Sequence, residues 1–427
     1  MKSPTYNSIL LILENVLRLV VGVFLSVWMA RTLGPEDYGT FSYVISFVAI
    51  FATIYVFGNE DLLVKELHRR GEAMHGTVMK AAFVMRFLAG LFGMALCNLI
   101  AFLISPDDKP LLIFIFLLSF ATLFKSFQAA DQYFFAKQNL QSLVWTRNAI
   151  FLLISVGKFT LLYLGADLAP FIWISGLEIV LFGLTSLFLY LKASKSLEIA
   201  VANNFKSTLK TMALESTPIM IVALAMMGMS KIDQVMIAHF HGEAILGQYA
   251  VATKLVDFCA VIPVIFVSSY FPKILGGPTE EQDGRFSYLF GLLFWVSLAG
   301  ALAFQFLASP VIGLLYGETY TEAASYLPSY AWLMLVFFYV FAQQRYLMAQ
   351  QKMSLILKIA LAGLILNIAL NFYLVPLYQV PGAILGTFLS YLIVQSVGAI
   401  FVKSLRESAL LLIAGVKVIV VERKVFP

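Results

Sequence analysis

Long apolar runs separated by short polar breaks dominate this chain. The runs cover approximately 8–30, 39–58, 77–104, 111–135, 142–164, 169–191, 212–238, 245–271, 286–307, 326–348, 353–375 and 382–402. A helix needs about 20 apolar residues to cross a bilayer, and each run meets that length. The pattern predicts an all-α polytopic membrane protein with about twelve transmembrane helices. The connections are too short for a soluble catalytic or nucleotide-binding domain, and no phosphate-cradling glycine loop is present.

The break between the first two runs is Leu33-Gly34-Pro35-Glu36-Asp37-Tyr38-Gly39-Thr40-Phe41. Pro35 and the two glycines end one helix and permit a tight turn into the next. A related break returns as His241-Gly242-Glu243-Ala244-Ile245-Leu246-Gly247-Gln248-Tyr249, with Gly34 matching Gly242, Gly39 matching Gly247 and Ala30 matching Ala238. The repeat predicts two six-helix lobes, a design recurrent in secondary transporters. The expected division is a first lobe over 1–191, a linker over 192–211, a second lobe over 212–402 and a cytoplasmic or interfacial tail over 403–427. Within that tail, residues 409–421 are apolar but too short to span comfortably.

Composition agrees with the pattern: 61% of residues are hydrophobic and 12% are charged, against about 25% charged in soluble domains. The net charge of +5 does not suggest a nucleic-acid partner. Cys97 and Cys259 both lie inside apolar runs, with no metal or redox spacing. The first run carries Glu14 and Arg18 and does not read as a cleavable signal peptide. Lysine and arginine alternate by connection. Lys65, Arg69, Arg70, Lys137, Lys192, Lys206, Lys210, Lys273, Lys352 and Lys403 lie on one side, and only Arg31 and Lys109 on the other. The bias predicts cytoplasmic N- and C-termini.

A charge inside the bilayer is costly, so each one asks for a reason. Arg18, Arg86, Lys125 and Lys254 fall near mid-membrane with the acids Glu178 and Asp257, and Lys158, Lys231 and Asp233 lie nearer the outer half. Glu14 sits one turn from Arg18, on a polar stripe with Asn15, Gly22 and Ser26. Arg86 shares a face with Gly90, Gly93 and Cys97, where another helix can approach. The bases Arg18, Lys254, Arg86, Lys125 and Lys231 are the candidate substrate-binding residues. The acids Glu14, Asp233, Asp257 and Glu178 are candidates for ion coupling. The plainer alternative for Glu14–Arg18 and for Lys254–Asp257 is a local ion pair. Lys80, Arg147, Arg345 and Lys358, near the cytoplasmic ends, read as snorkelling residues. His239 and His241 lie in an outer loop without a cysteine, so no metal site is expected. No cofactor is expected either, and no nucleophile–base–acid constellation is present.

The run Arg31-Thr32-Leu33-Gly34-Pro35-Glu36-Asp37-Tyr38-Gly39 resembles the opening signature of the Wzx-type polysaccharide and O-antigen flippases. So does Ile312-Gly313-Leu314-Leu315-Tyr316-Gly317-Glu318-Thr319-Tyr320-Thr321-Glu322-Ala323-Ala324, a motif shared across the multidrug/oligosaccharidyl-lipid/polysaccharide exporter superfamily. The resemblance implies a MATE-like fold with helices one, two, seven and eight lining a central cavity. It implies a non-enzymatic flippase in the bacterial inner membrane. The cargo would be an oligosaccharide on polyprenyl pyrophosphate, carried from the cytoplasmic to the outer leaflet by alternating access, with other polysaccharide-assembly membrane proteins as partners. Buried cations suit a pyrophosphate. The alternatives are a MATE-type ion-coupled exporter, which would favour acidic cavity residues, and an integral-membrane sugar transferase, which would need a large outer loop.

Overall fold

The computed structural model describes residues 4–194, 205–276 and 279–421, and all its regular elements are helical. The chain forms two compact units, Met1–Lys231 and Ile232–Pro427.

The first unit opens with α1 (Pro4–Val56), which breaks at Gly34. Gly34 holds φ 75° and ψ 175°, a region open essentially to glycine alone, and Pro35 then starts the second limb with one fewer backbone donor. The limbs fold back: the Ser26 and Tyr38 hydroxyls meet at 2.8 Å, although twelve residues of straight helix would separate them by about 18 Å. Gly242, the repeat counterpart of Gly34, has φ 85° and ψ 170°. Two glycines paired on sequence alone thus hold one unusual backbone conformation.

Next comes α2 (Glu60–Arg70), a short amphipathic helix absent from the expected spans. Its buried Glu66 pairs with Arg69 at 2.7 Å and Arg70 at 2.6 Å, and Arg70 also donates to Thr208 at 2.8 Å. Then follow α3 (His75–Ile104), α4 (Lys109–Thr122), α5 (Ala129–Ala136), α6 (Gln141–Tyr163), α7 (Leu168–Ser194) and α8 (Phe205–His241). The Asp108 side chain caps α4 by accepting from the Leu111 N–H at 3.0 Å. Between α4 and α5 the fourth span tightens into a 3₁₀ segment, Leu123–Gln128. A Cβ at Gly183 of α7 would lie 2.1 Å from the Phe124 carbonyl oxygen, so glycine is what lets α7 reach that segment.

The division between the units falls inside α8, not at the expected linker. Residues 205–231 join the first unit, where Thr208 meets Arg70 and Ile219–Met220 crowd Gly58. Residues 195–204 of the expected linker lie outside the described residues.

The second unit continues with α9 (Glu243–Cys259), α10 (Val261–Leu275), α11 (Thr279–Tyr316), α12 (Thr321–Ala331), α13 (Leu333–Ala349), α14 (Met353–Phe401) and α15 (Lys403–Val421). Gln248 ties α9 to the Ile312–Ala324 motif, donating to the Thr319 carbonyl at 2.7 Å and accepting from the Ala323 N–H at 3.1 Å. The helix α14 breaks at Gln379, between Pro376 and Pro381, and doubles back. Gly382 lies against the Leu374 carbonyl and Gly386 against the Asn371 side chain.

Eight elements are long and apolar enough to cross a membrane, nine if the bent pair α12–α13 is one span. Two of the eight, Leu13–Arg70 and Met353–Phe401, hold two limbs each, at Gly34 and Gln379. With α6 included, every expected run has its helical counterpart.

The tail departs from expectation. Residues 403–421 form one helix, α15, lying along α11 in the same direction. Ser287 donates to the Leu411 carbonyl at 3.0 Å and Trp295 to the Val416 carbonyl at 3.4 Å. Between them Gly291 and Gly415 touch backbone to backbone; a Cβ at Gly415 would sit 1.8 Å from the Ser287 carbonyl oxygen.

Candidate functional site

The interior of the first unit carries a ladder of charges on α1, α5, α6 and α7. Glu14 and Arg18 of α1 pair across one turn, with Arg18 Nε donating to Glu14 Oε1 at 3.2 Å. The pair is not isolated. Arg147 of α6 reaches the same oxygen at 3.7 Å through its Nε, and its Nη1 donates to Asp131 of α5 at 3.2 Å. Higher on α6, Lys158 donates to Glu178 of α7 at 2.8 Å. Arg147 and Lys158 are eleven residues apart, so the ladder extends about 16 Å along the helix axis.

Aromatic rings fix the two guanidiniums. The Arg18 Cζ lies 4.8 Å from the Phe182 ring centroid and 5.1 Å from that of Phe151, and the Arg147 Cζ lies 5.7 Å from Phe182. Such contacts contribute about 0.5–2 kcal/mol each, depending on desolvation. The arrangement is layered. The Glu14 and Asp131 side chains are only 6% and 8% exposed, whereas Arg18 and Arg147 keep 23% and 27%. The two planar cations are therefore more accessible than the carboxylates they pair with, although Arg18 Nη2 is itself buried. Their hydrogen bonding is incomplete: buried Arg18 Nη2 and Asp131 Oδ1 make no aligned hydrogen bond among the described residues.

The other sequence candidates fall in several settings. Lys125 sits on the 3₁₀ segment of the fourth span and has no hydrogen-bond or ion-pair partner among the described residues. Arg86 is 1% exposed and is held by Asn59, whose Oδ1 accepts from Arg86 Nε at 2.8 Å and Nη2 at 2.5 Å. It offers no surface to a ligand in this arrangement. Lys231 is half-buried at the end of the first unit.

In the second unit Lys254 is exposed, with Nζ 5.7 Å from the Phe258 ring centroid. Asp233 is buried, accepting from the Tyr249 hydroxyl at 2.5 Å and from the Gln234 N–H at 2.7 Å. Tyr330 packs edge-on against Tyr249 at 5.6 Å, and Asp257 lies within electrostatic reach of both rings. A second polar group joins the limbs of α14: Asn367 donates to Thr387 at 3.2 Å and Ser390 at 3.3 Å. Among the described residues no cluster of three or more His, Cys, Asp and Glu side chains could hold a metal.

Sequence reasoning assigned Arg147 to the snorkelling residues and passed over Asp131; the structure brings both into the Arg18 cluster. The available signal was Asp131 itself, an acid inside an apolar run with the same claim to a partner as Glu14.

A family model described as polysaccharide biosynthesis protein matches residues 5–275. The chain belongs to that family. The chain shares its fold with solved membrane transporters. An inward-facing multidrug resistance MATE family transporter of the MOP superfamily superposes with TM-score 0.67 at 12% identity, covering 92% of this chain and 95% of the other. The lipid II flippase MurJ in an inward closed conformation gives TM-score 0.67 at 15% identity, covering 98% and 94%. An outward-facing MATE family transporter gives 0.62 at 12%, covering 95% of each chain. A search of the curated proteins returned no match. The chain is thus a member of the polysaccharide biosynthesis family with the helical fold of solved multi-span membrane transporters.

Proposed function

We propose that this protein is a flippase. It carries an oligosaccharide linked to polyprenyl pyrophosphate from the cytoplasmic to the outer leaflet of a bacterial inner membrane by alternating access, and both activity and specificity come from its own side chains. The observation that carries the reading is the pair Arg18 and Arg147, two partly exposed guanidiniums backed by Phe182. A pyrophosphate presents clustered anionic oxygens that guanidinium forks bind in a geometry lysine cannot match. The ladder itself is balanced, Arg18, Arg147 and Lys158 against Glu14, Asp131 and Glu178, and Lys125 of the same unit adds a cation with no ion-pair partner among the described residues. A headgroup leaving water for this unit exchanges hydration for charge-assisted hydrogen bonds while its lipid chain stays among apolar surfaces. The polysaccharide family supports a glycan cargo.

In this reading Lys125 is a further headgroup contact, Lys254 and Lys231 are contacts for the phosphates or sugars, and Arg86 is structural. Asp233 and Asp257, ringed by Tyr249 and Tyr330, are the groups through which an ion gradient would act. Partner proteins of polysaccharide assembly would supply and remove the cargo. Depleting the protein in its host tests the reading. Lipid-linked glycan should accumulate on the cytoplasmic face, out of reach of a sugar-oxidising reagent added from outside. Normal export together with sensitivity to cationic drugs would favour the MATE-type alternative and overturn it.

A further inference from the structure

We infer that Glu14 is a built-in substitute for the cargo's phosphate, a carboxylate that occupies the two arginines when no ligand is present and is displaced when one arrives. The inference rests on the reading that Arg18 and Arg147 receive a pyrophosphate, and it adds how the site is kept closed and reset.

The geometry points this way on three counts. One oxygen, Glu14 Oε1, serves both arginines, 3.2 Å from Arg18 Nε and 3.7 Å from Arg147 Nε. A bridging position between two guanidiniums is where a phosphate oxygen would sit. The fit is also loose: Arg18 Nη2 lies 3.0 Å from that oxygen without an aligned hydrogen bond, and Arg147 is at the edge of ion-pair range. A carboxylate offers two oxygens and one charge where the cargo's doubly esterified pyrophosphate offers four non-bridging oxygens and two charges, so it leaves donors of both forks free for an incoming anion. Lastly, the arginine side chains keep 23% and 27% exposure and the carboxylate only 6%. An arriving anion therefore has access to the arginines where it has little to the acid that it displaces.

A half-buried cation pair left without an anion is unfavourable, less so than a fully buried one because water screens part of it. Glu14 meets that need between transport cycles, so the empty protein keeps a satisfied interior. The groups facing Glu14 are Arg18 on its own helix and Arg147 on α6; Asp131 on α5 acts through Arg147, and Glu178 on α7 lies in the field of Arg18. Asp131 differs in pairing with Arg147 and not with Arg18, so it holds that arginine in place after Glu14 leaves.

The test is binding of farnesyl pyrophosphate and of inorganic pyrophosphate to the purified full-length protein in detergent, comparing wild type with Glu14→Gln and Glu72→Gln. Each variant is confirmed as a monodisperse, folded species by size exclusion. Removing the competing carboxylate should tighten both probes about tenfold in Glu14→Gln, the scale of one charge-assisted contact. Glu72→Gln removes the same charge without freeing an arginine, because Glu72 is an exposed group outside the ladder that pairs with Lys137 of the α5–α6 connection, and should change affinity no more than about twofold. Equal gains in the two variants would make the effect one of net charge and overturn the exchange. A gain with the farnesyl probe alone would place it in the lipid contact and overturn it as well. If wild-type binding needs Arg18 and Arg147 but is unchanged or weaker in Glu14→Gln, the exchange fails and the reading of the site stands. If neither wild type nor Glu14→Gln binds either probe, both fall.

Discussion

Arg86 and Asn59 allow the sharpest test of how this membrane interior tolerates charge. Arg86 is 1% exposed and Asn59 is fully buried, and Asn59 Oδ1 accepts two of the arginine's hydrogen bonds, at 2.8 and 2.5 Å. Replacing Asn59 with leucine leaves a buried guanidinium without that acceptor, a change that costs about 3–5 kcal/mol when one partner of a buried pair is removed. Replacing Arg86 with methionine leaves only a neutral amide unsatisfied, about 1–3 kcal/mol. Replacing both leaves neither orphan, and the added methionine and leucine recover apolar packing. Stability should therefore fall most in Asn59→Leu, less in Arg86→Met and least in the double variant, with a coupling energy of about 2 kcal/mol or more. That exceeds the ~0.6 kcal/mol average for side-chain hydrogen bonds in membrane helices, because here one partner is charged. Unfolding by titrated denaturing detergent, followed by far-UV circular dichroism, gives the four values of the cycle. Equal, additive losses would refute the reasoning and show Arg86 reaching water or ligand. Transport abolished in Arg86→Met at normal protein level, with Asn59→Leu active, would return Arg86 to the binding residues.

The repeat glycines make a paired prediction. Gly34→Ala and Gly242→Ala each force a β-carbon into a glycine-only backbone region and should each cost about 1–3 kcal/mol in the same unfolding assay; a neutral result at one site and a large loss at the other would break the repeat. At the tail, Gly415→Val should prise α15 from α11, since even a β-carbon would lie 1.8 Å from the Ser287 carbonyl oxygen. Trypsin should then cut at Lys417 in folded protein where wild type resists, and unchanged resistance would show that α15 is held elsewhere.

The apolar runs were legible because each crosses a bilayer and is bounded by glycine, proline or charge. The turn at Gly34 was legible too, since glycine followed by proline leaves a helix few alternatives, and its repeat at Gly242 predicted the second turn. What escaped depends on contacts between helices distant in sequence. Arg147 lies six residues into α6 and resembles any snorkelling arginine until α1 and α5 bring Glu14 and Asp131 to it. The 3₁₀ segment at Lys125 is permitted by a glycine on another helix, Gly183. The amphipathic α2 was hidden in a charged connection because its four leucine and glutamate anchors, Leu62, Leu63, Glu66 and Leu67, are too few to stand out as a run. The tail is apolar but too short to span comfortably, which leaves its packing open, and Gly291 and Gly415 become meaningful only when α11 and α15 are side by side. The Glu14–Arg18 spacing admits a local ion pair as its plainer alternative, and the structure has that pair, but periodicity on one helix could not show that a second arginine shares the acid.

The central claim is that Arg18 and Arg147 carry a lipid-linked pyrophosphate across the membrane. Its most direct test is transport in proteoliposomes loaded with a fluorescent glycan on polyprenyl pyrophosphate, with movement read by quenching of the label at the far leaflet. Wild-type protein should flip the lipid at a rate that falls at least tenfold when both arginines become glutamine, in protein that still inserts and runs as a folded species. A wild-type protein that leaves the lipid in its original leaflet, or a double variant that flips it at the wild-type rate, would contradict the account.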